Sequence, residues 1–214
     1  SWSEGQGLFA RRDEHPWGTV VGDPRFPDLL HPNTALVTAR EPVTFAEVDA
    51  AFASAAPHAA RRSVVVFHHE EQTDLLARMS SEGGTLFFDR ALAAGPTPDL
   101  DTARVDEVVG DPADGAFWRA HRTTTELFGI TERDEIAQLE RMEREVLIPA
   151  GKRWFAVRGA GGEIEALAAL HGGEAAEIDH VATVPAARGR GHASALVARC
   201  VAEARAAGTA TVVL

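Results

Sequence analysis

The sequence predicts an α/β protein in two parts, and three observations carry that prediction. Short β-branched runs alternate with stretches of helical period along most of the 214 residues. A proline- and glycine-rich break, AAGPTPDLDT from Ala93 to Thr102, interrupts the alternation. In the second half a strand-like run leads through a glycine- and arginine-rich turn directly into an alanine-rich helix. These place an N-terminal α/β domain over residues 1–99 and a second domain over residues 100–214.

Up to about His31, Pro16, Pro24 and Pro27 with scattered glycines predict irregular chain holding at most short strands. Ala35 to Ala39, Ser63 to His68 and Gly84 to Asp89 then read as strands. Between them, Phe45, Val48, Ala51 and Phe52 share one face of a helix from Thr44 to Ala56, and Leu75, Leu76 and Met79 mark another from Glu71 to Ser80. Beyond the break, Ala103 to Val109 predicts a strand. Asp111-Pro112 suits the start of a helix reaching Phe128, with Phe117, Trp118 and His121 along a face. Thr131 is the expected cap of a second helix, whose stripe of Ile136, Leu139, Glu143, Val146 and Leu147 ends near Pro149. Two strands, RWFAV and EIEALAAL, join across Gly159 to Gly162. AEIDHVATV is a further strand, the helix from about Gly191 to Ala207 stops at Gly208, and TATVVL begins one more strand.

Composition narrows the function. A formal net charge of −11 and a pI near 5.2 argue against nucleic acid as a partner, because phosphate backbones are held by concentrated lysine and arginine. They suit a cationic substrate. The single cysteine, Cys200, leaves no intrachain disulfide and agrees with a reducing, cytoplasmic setting. No apolar run approaches the length of a membrane span and no signal-peptide core is visible, so neither membrane nor export is expected. Lys152 is the only lysine, and tyrosine is absent.

The turn after AEIDHVATV carries the chemistry. A helix beginning at Gly191 or His192 leaves its first amides without intrahelical partners, at the positive end of the helix dipole. Gly189 and Gly191 let a ligand approach the backbone, Arg188 and Arg190 add cationic donors, and Ser194 puts a hydroxyl in the first turn. Together they suit a phosphate. Without a Gly-Lys-Ser/Thr ending the turn is not a P-loop, and the antiparallel-looking strands before it fit a Rossmann site poorly.

Val181 to Pro185 followed by Arg188-Gly189-Arg190-Gly191-His192-Ala193 resembles the acyl-CoA-binding signature of the GNAT superfamily of N-acetyltransferases, an Arg/Gln-x-x-Gly-x-Gly/Ala turn after a strand. The likeness covers about Thr102 to Leu214, including the order of elements. It implies a mixed, mostly antiparallel sheet flanked by helices. It also implies a coenzyme A pyrophosphate on the amides of Arg188 to Ser194, with Ala182, Thr183 and Val184 along the pantetheine arm. That arm would lie where the strands Glu177 to Val184 and Ala210 to Leu214 splay apart. The implied reaction is attack of an amine of a small molecule or peptide on acetyl-CoA, which needs a base. Glu177, eleven residues before Arg188, ranks first, with Asp179 and His180 behind it; alternation puts Glu177 and Asp179 opposite His180 and Ala182. The tyrosine that often protonates the thiolate in that family has no counterpart, and the last helix and two strands are expected to lie beyond this sequence. The first half suits a smaller α/β unit, a degenerate copy of the fold, with a role in the acceptor pocket or in association of chains as a homodimer.

Other readings stay open. A non-catalytic acyl-CoA-binding regulatory module would use the same turn, and ATP is a third ligand for it. His68-His69-Glu70-Glu71 is not expected to hold a metal, since neighbours on a strand point to opposite faces and no spaced partner is evident. Cys200, Trp118 and Trp154 read as core, and His121 and His171 as structural or pocket-lining.

Overall fold

The computed structural model describes residues 8–87, 91–96, 99–108 and 114–214. They divide at residue 90 into two compact units.

The N-terminal unit is a four-stranded mixed sheet in the order β1-β2-β3-β4, formed by β1 (Arg11–His15), β2 (Gly18–Gly22), β3 (Thr34–Val37) and β4 (Ser63–Val66). The first three pair antiparallel and the last parallel. Helix α1 (Phe45–Ala55) connects β3 to β4, and α2 (Thr73–Ser81) follows β4. Thr44 and Glu47 close α1 with a reciprocal capping box, satisfying two amides that the helix start leaves unpaired. Its buried face, Val48, Ala51, Phe52 and Ala55, packs on Val20, Ala35 and Val37.

The short strands expected at most before His31 are the β1-β2 hairpin, whose polar, exposed β1 lacks the apolar alternation of a half-buried strand. Two other stretches depart from expectation. Gly84 to Phe87, expected as a strand, is irregular and exposed, and Phe88 and Asp89 lie outside the described residues. His68 to Glu71 forms the turn before α2 and not the end of a strand, because β4 stops at Val66.

The C-terminal unit is a five-stranded mixed sheet, β5 (Val105–Val108), β6 (Arg153–Arg158), β7 (Ile164–His171), β8 (Ala175–Thr183) and β9 (Thr211–Val213), paired in that order. Three pairs are antiparallel and β8-β9 is parallel. Between β5 and β6 run α3 (Gly115–Leu127), α4 (Arg133–Met142) and a π-helical turn (Glu143–Leu147); a short 3-10 turn (Pro185–Ala187) and α5 (His192–Ala206) separate β8 from β9. Asp114 caps α3, its Oδ1 accepting from the amides of Ala116 and Phe117. The expected Asp111-Pro112 start lies outside the described residues. Thr131 does not cap α4: the cap position is Glu132, with no side-chain bond.

β7 explains how two helix layers fit one sheet. Its Ala166, Ala168 and Leu170 face α5, where Ala195, Leu196, Cys200, Val201 and Ala204 are buried. Its Leu167 and Ala169 face α3 through Phe117 and Trp118, in one cluster with Trp154 of β6. Small side chains on the central strand let both helices approach closely. Cys200 is fully buried and its thiol is pushed up to about 12 by burial, so it packs and does not react. Leu196 is 0% exposed. Leu196→Ala is expected to cost about 2–5 kcal/mol of stability in chemical denaturation, from lost burial and the cavity left behind.

The expected linker is partly structured. Leu92 and Leu214 exchange backbone hydrogen bonds, and Ala93 bridges Val213 antiparallel. Residues 92–94 lie against the outer side of β9, within the C-terminal compact unit that begins after residue 90.

Candidate active site

Between β8 and the start of α5 lies an open cleft of about 560 Å3. Leu127 and Phe128 from the end of α3 form one wall, Val181 to Thr183 another, and Ala187 to Gly189 with Gly191 to Ser194 the third. Of the expected cofactor residues, only Val184 and Arg190 do not line it.

Backbone geometry accounts for the glycines of the turn. Gly189 and Gly191 sit at φ of 78° and 75°, left-handed conformations that side chains with a Cβ rarely adopt. A Cβ on Gly189 would meet nothing within 4 Å, whereas one on Gly191 would approach Arg104 Nη2 to 3.3 Å. The Arg104 guanidinium donates to the Gly191 carbonyl at 3.1 Å, fixing the point where α5 begins. From there the amides of His192, Ala193 and Ser194 open onto the cleft without intrahelical acceptors.

The two arginines differ. Arg188 is exposed, its Nε donating to the Thr183 carbonyl at 3.2 Å. Arg190 turns away: it pairs with Glu165 of β7 at 3.1 Å and donates to the Ala186 carbonyl. Glu165 also accepts from or pairs with His192 Nε2 at 3.1 Å, so one carboxylate ties β7 to both side chains of the turn. His192 Nδ1 and Thr183 Oγ1 are buried in the cleft wall with no partner among the described residues. Glycine conformation, amides without intrahelical acceptors and an exposed cation together fit the diphosphate of an acyl-CoA.

β8 carries a β-bulge beside the cleft. Ala169 pairs with Asp179 and Leu167 with Ala182, so Ala168 faces both His180 and Val181. His180 takes a φ of 51°, an uncommon value for a residue with a side chain. The extra residue moves His180 onto the face of Glu177, Asp179 and Ala182, where unbroken alternation had placed Glu177 and Asp179 opposite His180 and Ala182. There His180 stacks on His121 of α3 at 5.2 Å, with the edges of Phe128 and Trp154 against it. Thr124 holds its ring at 2.7 Å from Nε2. The same hydroxyl also lies 2.9 and 3.0 Å from the carbonyls of Ala120 and His121, so it is held within one turn of α3 beside the ring.

Behind this face Lys152 and Glu143 form a buried ion pair that reaches the half-exposed Asp179. Lys152, 6% exposed, donates from Nζ to Glu143 Oε1 at 2.6 Å and to Asp179 Oδ2 at 3.2 Å. Trp154 Nε1 donates to Glu143 Oε2 at 3.1 Å. Burial alone would lower the Lys152 pKa, but the two carboxylates outweigh it and hold the ammonium above its ordinary value. Removal from water would likewise raise Asp179, yet Lys152 draws it down to about 2. Glu177 goes the other way: burial, and then the Asp179 charge, raise its carboxyl above the usual range. Glu143, Lys152, Thr124, Phe128 and Glu165 were not singled out as site residues from the sequence. The signals were there for two of them, a glutamate inside the apolar stripe of Ile136 to Leu147 and a lone lysine.

Burial lowers His121 to about 4, with the Lys152 cation adding to it; burial and the His121 neighbour do the same for His180. Unfolded histidines titrate near 6.5, so from about pH 6.5 down to about 4 the unfolded chain binds more protons than the folded one. The stability these rings contribute is present above that window and lost as pH falls through it. The urea midpoint followed at the Trp154 indole resonance is expected to drop between pH 7 and 4, and His121→Leu to weaken that dependence.

The family comparison agrees with this geometry. Residues 116–214 match the Acetyltransferase (GNAT) family.

Residues 116–214 are a GNAT-family acetyltransferase domain.

A GCN5-related N-acetyltransferase from Kribbella flavida is similar over 99% of this chain and 81% of its own, at 18% identity and a TM-score of 0.56, which shows a common fold. A protein from Novosphingobium aromaticivorans assigned to the GNAT family is 24% identical over 58% of this chain, TM-score 0.39, and the chain spans 48% of that protein's length. An acetyltransferase of the GNAT family from Staphylococcus aureus is 10% identical over 50% of this chain and 70% of its own, TM-score 0.40. No protein of curated function matches the chain in sequence. GNAT members take an acyl group from acyl-CoA and act on amine acceptors. In the GNAT domain described here, no group of three or more His, Cys, Asp or Glu among the described residues is placed to hold a metal ion. No helix among them is long and apolar enough to cross a membrane.

Proposed function

We propose that the GNAT domain transfers an acetyl group from acetyl-CoA to a primary amine of a small molecule or peptide. The observation that carries this reading is the cleft at the start of α5, whose β8 wall begins at Val181, on the same strand that carries, before the bulge, two carboxylates whose pKa values are pushed apart. The amides of Arg188 to Ser194 and the Arg188 guanidinium hold the diphosphate, and Ala182 and Thr183 follow the arm. When bound, acetyl-CoA supplies an activated thioester carbonyl.

The paired carboxylates divide the work. Asp179, held ionised by Lys152, is a fixed anion that draws an acceptor ammonium towards β8. The ammonium first gives one proton to solvent to become the nucleophilic amine; Glu177, with its raised pKa, takes the second as the amine nitrogen forms its bond to the carbonyl carbon and the carbon–sulfur bond breaks. The sulfur departs with the electron pair; a thiol of pKa near 8.5 leaves acceptably without a tyrosine to protonate it. The net charge of −11 favours cationic acceptors, and the single buried cysteine suits a reducing, cytoplasmic setting. The cleft lining includes neither Glu177 nor Asp179, which favours a second reading, a regulatory module that binds acyl-CoA without turning it over.

The two part in one assay, in which acetyl-CoA and a panel of primary amines are incubated with the protein and acetylated products are read by mass spectrometry. Products on any amine support the transferase; bound acetyl-CoA with no product supports the module. The acidic limb of the pH–rate profile is expected above the ordinary glutamate range, and Asp179→Asn is expected to move it to lower pH, because the charge that raises Glu177 is gone.

A further inference from the structure

The ion cluster beneath β8 has a geometric consequence for the cleft. Each oxygen of Asp179 has a separate partner: Oδ2 meets Lys152 Nζ at 3.2 Å, and Oδ1 accepts the backbone amide of His180 at 2.5 Å. His180 is the residue whose left-handed backbone makes the bulge, and Val181, Ala182 and Thr183, which follow it, form a wall of the cleft. Lys152 is held by Glu143, which is the first residue of the π-helical turn and is itself fixed by the Trp154 indole. A chain of charge-assisted bonds thus runs from the π turn through the start of β6 to one backbone amide at the cleft. A buried ion pair is weak evidence for stability, since apolar residues of similar volume serve as well. A strained backbone residue held by such a chain points instead to a positioning role.

We infer that Lys152 is a positioning residue for the transfer reaction: by orienting Asp179 it holds the His180 bulge, and with it the Val181–Thr183 backbone, in the conformation that meets the acyl donor. The inference rests on the acyl-transfer reading for its catalytic part, while the coupling of Lys152 to the bulge stands apart from it. Lysine suits the place because a compact ammonium can serve two carboxylates from one buried point, whereas the planar arginine fork is larger and fixed in geometry.

Lys152→Met, Lys152→Arg and Glu143→Gln in the full chain test it. In the wild-type protein the His180 amide proton, bonded to a carboxylate, is expected well downfield in a nitrogen–proton NMR spectrum, and to move upfield in Lys152→Met and in Asp179→Asn. For acetyl transfer, kcat should fall on the order of 10²-fold in Lys152→Met, the size expected for slight misplacement of reacting groups, with partial recovery in Lys152→Arg. Where Lys152→Met does not fold, Lys152→Arg and Glu143→Gln carry both readouts. A His180 amide unmoved in folded variants, or moved with kcat intact, overturns the inference. Absence of turnover in the wild-type protein overturns the transferase reading instead, and leaves the amide shift to decide whether Lys152 sets the bulge.

Discussion

Gly191→Glu is expected to abolish acetyl-CoA binding while leaving the fold in place. Three effects act together at this one position. The φ of 75° is strained for any residue with a Cβ, the new Cβ would press on Arg104 at 3.3 Å, and the carboxylate would stand at the helix start where an anion has to bind. Losing two charge-assisted hydrogen bonds to a diphosphate, at about 1.5–3 kcal/mol each, amounts to roughly two to four orders of magnitude in Kd. Gly191 is exposed, so circular dichroism should change little and thermal unfolding should shift by only the few degrees that left-handed strain costs. Arg188→Ala, which removes one exposed cation and no backbone geometry, should weaken binding much less.

Glu177→Gln should do the reverse, lowering kcat by about 10²–10⁴-fold, the usual contribution of a positioned general base, while Kd for acetyl-CoA stays as it was. The glutamine keeps the shape and hydrogen-bonding capacity of the side chain and loses only the ability to take a proton. Glu177 pairs across the sheet with His171 and lies on β8 before the bulge, away from the diphosphate turn, so the binding surface is not touched. If the residual rate rises with pH, as the amine deprotonates in solution, the role of Glu177 as proton acceptor is supported. Asp179→Asn provides the contrast, because its charge acts on the acceptor and on Glu177 and it does not itself take the proton.

Much of the C-terminal unit was legible in the sequence because its signals are local. The stripe of Leu196, Cys200 and Val201 gives α5 its period, Gly208 ends it at a φ of 89°, and Gly189 and Gly191 announce a turn only glycine adopts easily. The bulge at His180 was not legible, since no glycine or proline marks it and one inserted residue reverses the facing of all that follows. That slip hid the meeting of His180 with His121 and Thr124. The Glu143–Lys152–Asp179 cluster was hidden differently: Lys152 and Asp179 are 27 residues apart, and only the folded register of β6, β7 and β8 brings them together. In the N-terminal unit β1 escaped notice because its side chains are charged and largely exposed, leaving no apolar period to detect.

Calorimetric titration of the full chain with acetyl-CoA, with ATP as the competing ligand and Gly191→Glu as the control, tests the central claim most directly. Saturable micromolar binding of acetyl-CoA, weak or absent binding of ATP, and no heat with Gly191→Glu are the results predicted here. A folded protein that binds no acetyl-CoA, or that binds it equally well with glutamate at position 191, would contradict the assignment of the α5 cleft as the acyl-CoA site.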